Sequence, residues 1–131
     1  MTSPVLVQRS LARMLANGPM TAVPKRPADQ ELLGLLAAAR FEPRRGYRER
    51  DVNEMLESWL ATFTEPYGID HVTLRRLLVD LRLLVRTTSG SLYELDEARL
   101  AQLEGLRDID PAKVLSEVRA ERERRKRRHF A

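Results

Sequence analysis

Two stretches hold the residue types on which chemistry could be built. "RAERERRKRRHFA", residues 119–131, carries seven Arg/Lys against two Glu, a net charge of +5. The remaining chain holds 16 basic and 17 acidic residues, so a near-neutral body ends in one concentrated positive segment. Guanidiniums this dense release condensed counterions when they neutralise phosphates. Arg122, Arg124, Arg125, Lys126, Arg127 and Arg128 are the residues expected to do so. The second stretch, "DHVTLRRLLVD", opens on Asp70, a good helix cap, and places His71, Thr73, Arg75 and Arg76 in the first turns that follow. Arg matches the paired acceptors of a guanine edge, and Thr matches a phosphate or a thymine methyl. Arg86, a little further on, can add a backbone contact.

Other chemistries find little material. There is no cysteine, which removes disulfides and thiolate metal sites. The two histidines, His71 and His129, are far apart in the chain, and the six glycines are scattered rather than gathered into a phosphate loop. Glu49 with Asp51, or Asp70 with Asp80, would be carboxylate pairs without a partner nucleophile. No catalysis, cofactor or metal is therefore expected. The N-terminal apolar run is broken by Gln8, Arg9 and Arg13, so neither a signal peptide nor a membrane span is expected, and the location is read as cytoplasmic.

Several elements must position these residues. Residues 5–16 form a short helix with Val7, Leu11, Met14 and Leu15 on one side, stopped by Asn17-Gly18-Pro19. "PMTAVPKRP" is an extended connector. Pro27 starts a helix that runs to about Arg40 with Leu32, Leu35, Leu36 and Ala39 inward. After a short extended piece at Tyr47, Val52, Met55, Leu56, Trp59, Leu60 and Phe63 follow steps of three and four, while Asn53, Glu54, Glu57 and Ser58 point away. "TEPYGID" reverses the chain, with Tyr67 as a loop anchor. The Asp70 helix has Leu74, Leu77, Leu78, Leu81 and Val85 on one face. Extending its rotation puts Val72, Val79 and Leu83 on the outward side with Arg76, an apolar surface for a base-reading face. An alternative buries that helix on two sides and pairs Arg75 and Arg76 with acids of its neighbour. "LLVRTT" and "SLYEL" flank Ser89-Gly90 as a hairpin, and Asp110-Pro111 restarts a helix that enters the basic tail.

With Tyr47, Val52-Asn53, "DHVTLRRLLVD", Leu83-Leu84, Arg86 and Tyr93 in this order, residues 24–94 resemble an uncharacterised bacterial domain family. Its members occur alone or fused behind a helix-turn-helix of the arsenic-repressor type, and the resemblance implies a setting in transcriptional regulation. Two positions depart from its pattern: Arg48 stands where a capping Ser or Thr is expected, and Arg82 where a small residue is expected.

The expected fold is α+β and mostly helical: a winged-helix-like domain of three helices and a hairpin over residues 24–100. An N-terminal helix and linker (1–23) precede it, and a C-terminal helix with the basic tail (101–131) follows. The expected function is non-enzymatic nucleic-acid binding, with DNA preferred over RNA and no membrane partner. The rivals are a ribosome- or RNA-associated factor, and a module that binds a protein partner or a second copy through Val72, Val79 and Leu83.

Overall fold

Proline at the first helical position begins three of the helices, where its missing N–H costs nothing and its fixed φ suits the turn. The computed structural model describes residues 3–130. Helix α1 (Pro4–Met14) buries Val7 and Leu11, and α2 (Pro27–Ala38) starts at the second of the three prolines. Arg13 of α1 donates to the buried Asp29 in the first turn of α2, at 2.6 Å. The connector between them leaves α1 through Gly18 (φ 114°). It then lays Met20 beside Thr64, where the Met20 N–H donates to the Phe63 carbonyl at 3.1 Å.

Helix α2 departs from the one-faced expectation, because every residue from Leu32 to Ala39 is buried. Its surroundings explain this: α4 and α5 both pack on it, and Asp29 ties its first turn to α1. Gly34 permits the closest approach. A Cβ there would lie 2.7 Å from a Leu81 methyl and 3.1 Å from a Leu83 methyl.

Helix α3 (Glu49–Leu60) follows its periodicity and buries Val52, Leu56 and Leu60, with half-buried Trp59 edge-on to Phe63 at 4.6 Å. Asp70 caps α4 (His71–Asp80) by accepting the Val72 N–H at 2.9 Å. At the other end the Leu83 N–H reaches back to the Leu78 carbonyl and the Arg82 N–H to the Val79 carbonyl. This double closure requires the left-handed Arg82 (φ 58°), which accounts for the small residue expected there. It also corrects the extrapolated apolar stripe. Leu83 no longer continues the helix; the reversal turns it inward and buries it fully, and of the supposed outer trio only Val79 is substantially exposed.

Strands β1 (Leu84–Arg86) and β2 (Tyr93–Leu95) pair antiparallel, with Arg86 opposite Tyr93, around a turn in which Gly90 supplies φ 75°. Tyr47 pairs on the other side of Tyr93 through two 2.8 Å backbone hydrogen bonds, so the extended piece before α3 adds a one-residue bridge to the two-stranded hairpin. Helix, single bridging residue, helix, helix and hairpin make a winged-helix-like α+β domain. Tyr67 is not an anchor: it is fully exposed with φ 63°, because the packing at this turn is made by Ile69 and by Gly68.

Beyond the hairpin, a short helix α5 (Leu100–Leu103) lies between two 3-10 turns. Arg107 there donates to the Ala39 and Phe41 carbonyls after α2, and Arg40 between them donates back to the Leu106 and Arg107 carbonyls. Asp110 caps α6 (Pro111–Phe130), which packs on α1. One core runs from Val7 through α2–α4 and the hairpin to Leu115, so both flanking segments share it. Among the described residues no helix is long and apolar enough to cross a membrane.

Candidate nucleic-acid interface

In a winged helix the third helix carries the groove-reading side chains and the hairpin flanks the backbone. Here α4 holds four of the candidate residues, and their surroundings divide them. Arg75 is held down: one guanidinium nitrogen donates to the Asn53 side-chain oxygen, and another lies 3.7 Å from a Glu49 carboxylate oxygen. Only 15% of its side chain is exposed, so as a base reader it is corrected to the ion-paired arrangement. His71 sits between two acids, with Nδ1 3.8 Å from Glu57 and 3.7 Å from Asp70. It opens onto a cleft of about 510 Å³ at the α3–α4 turn, whose rim also carries Glu65. That acidic rim repels a phosphate at short range. Thr73 and Arg76 are exposed and have no side-chain partner among the described residues, which corrects the pairing expected for Arg76.

One signal for the Arg75 clamp was present in the sequence. Glu49, Asn53 and Glu57 recur every four residues on α3, as His71 and Arg75 do on α4, and the two stripes face one another. The amphipathic pattern set Asn53 pointing away; it lies at the margin of the apolar face, where a long Arg from the neighbouring helix reaches it.

Arg86 projects from the hairpin toward the same junction. Its guanidinium lies over the Tyr93 ring at 5.0 Å, donates to the Tyr93 hydroxyl at 2.8 Å, and approaches Glu49 at 3.6 Å. The Tyr93 hydroxyl in turn contacts Glu49 at 3.3 Å. Tyr93 therefore covers the core edge with its ring and anchors a polar network with its tip. Arg48 and Arg50, both exposed, flank Glu49 in the chain, and Arg48 makes no side-chain cap on α3.

The tail is ordered as the last turns of α6. Glu121 gathers three arginines: Arg124 at 2.8 Å, Arg125 at 3.3 Å and Arg128 at 3.2 Å. The hydrogen bond from Arg124 holds the Glu121 carboxyl below its ordinary value. Lys126 lies 3.9 Å from Glu123, and Arg122 donates to the Ala16 carbonyl at the end of α1 at 3.0 Å. Arg127 has no side-chain partner among the described residues. All six cations are exposed, and two carboxylates cannot neutralise them.

The family described as "Uncharacterized protein conserved in bacteria (DUF2087)" matches residues 19–95, from the connector to the end of β2. No curated protein matches the chain, and no solved structure does.

Proposed function

The chain belongs to this uncharacterised bacterial family, and from its own geometry we propose that it is a non-enzymatic, cytoplasmic nucleic-acid-binding protein that regulates transcription. Duplex DNA is the preferred partner. Thr73 and Arg76 of α4 face the major groove, the Thr87–Ser91 turn approaches the backbone, and the α6 tail adds phosphate contacts. The observation that carries the reading is the distribution of exposed cations. Arg76 on α4, Arg48 and Arg50 at the start of α3, and the α6 tail are all exposed, whereas Glu49, between Arg48 and Arg50 in the chain, is engaged with Arg75 and Arg86. With His71 and Arg75 occupied, few side chains remain to read bases. Phosphates then dominate affinity, and discrimination among sequences is modest.

A second reading, an RNA-bound factor, is favoured by one observation: the cations of the tail outnumber the exposed readers on α4. Fluorescence anisotropy with labelled duplex DNA and folded RNA at low ionic strength separates the two. For the DNA regulator, Arg76→Ala with Thr73→Ala removes preference among duplex sequences and leaves weak general binding. For the RNA factor, the same pair is mild and removal of the tail cations abolishes binding. Absence of binding to either polymer refutes both.

A further inference from the structure

Three donors, one from α4 and one from each strand of the hairpin, converge on one carboxylate oxygen of a residue that is itself half exposed. Glu49 Oε1 meets Arg75 Nη2 at 3.7 Å, Arg86 Nη2 at 3.6 Å and the Tyr93 hydroxyl at 3.3 Å. Arg75 is fixed from behind by Asn53, and Arg86 by the face and hydroxyl of Tyr93, so both guanidiniums keep their places without Glu49. Glu49 lacks such fixing. It is the first residue of α3, 52% of its side chain is exposed, and its contacts with both arginines are long for charge-assisted hydrogen bonds. A fixed set of donors thus holds a loosely bound, solvent-facing anion.

We infer that Arg75, Arg86 and the Tyr93 hydroxyl form a seat for a backbone phosphate of nucleic acid, and that Glu49 occupies it as an internal stand-in until the phosphate displaces it. The inference rests on the nucleic-acid reading above and names the contact on which that reading turns. Arginine matches phosphate oxygens better than a distant carboxylate, since two donors can engage each phosphate. The seat also lies at the start of α3, whose first-turn N–H groups are not capped by the Arg48 side chain and whose dipole favours an anion. The exchange has a consequence for selectivity. Small anions must compete with a tethered carboxylate, whereas a polymer that also engages Arg76 and the tail brings its phosphate at high effective concentration.

The test is Glu49→Gln in the full chain, with labelled duplex DNA and folded RNA titrated across a salt series. Loss of the competing charge should tighten binding roughly tenfold near 50 mM salt, while the slope of the salt dependence holds within about half a unit because the seat takes one phosphate in both proteins. In the Glu49→Gln background, Arg86→Ala should remove that gain. Glu49→Ala provides the same readout should the glutamine variant misfold, with the melting temperature of each variant as the check. If the wild-type protein binds and Glu49→Gln binds equally or more weakly, the seat is refuted while the nucleic-acid reading survives. If neither protein binds any nucleic acid, both fall together.

Discussion

Replacing Arg124, Arg125, Arg127 and Arg128 with glutamine should change the salt dependence of binding far more than it changes the protein. Three of these arginines share Glu121, yet their side chains are 60%, 75% and 70% exposed. Exposed pairs of this kind are weak and screened by solvent, so they yield readily to a phosphate, and all four cations count. Each phosphate neutralised contributes about 0.9 to the slope of log affinity against log salt, so the variant's slope should be shallower by roughly 3.6. Between roughly 50 and 200 mM salt, the affinity advantage of the wild-type protein should therefore shrink on the order of a hundredfold. The assay is anisotropy of a labelled duplex across a KCl series, with helicity and melting followed by circular dichroism. Because residues 122–129 are exposed and add nothing to the apolar core, the melting temperature should hold. A slope unchanged within about half a unit would mean that the tail meets no phosphates.

Three further outcomes follow from the fold. Arg82→Gly should stabilise the protein by about 1 kcal/mol, because the left-handed conformation that closes α4 penalises a side chain; thermal melting should rise by roughly 4 °C. Gly34→Ala should destabilise by about 1–3 kcal/mol, since its methyl would press on Leu81 and Leu83 where α2 meets α4; chemical denaturation measures this. The Glu121 carboxyl should titrate below a free glutamate by carbon NMR and return toward the ordinary value in Arg124→Ala. Its folded value is depressed, so the contacts it makes are present at neutral pH and are lost as pH falls through the carboxylate range.

Local patterns were legible wherever one element alone decides them. The stripe from Val52 to Phe63, the Asp70 cap, the Gly90 turn and the Asp110-Pro111 restart all follow from neighbours within a few residues. Local pattern misleads where a distant partner decides. Continuing the helical rotation of α4 places Leu83 outward, but the left-handed Arg82 reverses the chain and buries it. Helix α2 reads as one-sided by periodicity but is enclosed by α4, α5 and the Asp29 tie to α1. Of the candidate site, the exposed cations of α4 and the tail were visible as residue types. The Glu49 seat was not, because it joins α3, α4 and the hairpin across 26 to 44 positions of sequence. Arg75 shows the same limit: only the facing stripe of Glu49 and Asn53 distinguishes a clamped arginine from a free one.

Amide chemical-shift mapping of the isotope-labelled full chain, with duplex DNA added at low salt, locates the contact surface residue by residue. Shifts should cluster on Thr73 and Arg76 of α4, on the first turn of α3, on the Thr87–Ser91 turn and along residues 122–128, and should fade as salt is raised. A spectrum that does not move, or one that moves only around the exposed Val5 and Leu6 of α1, would contradict the account.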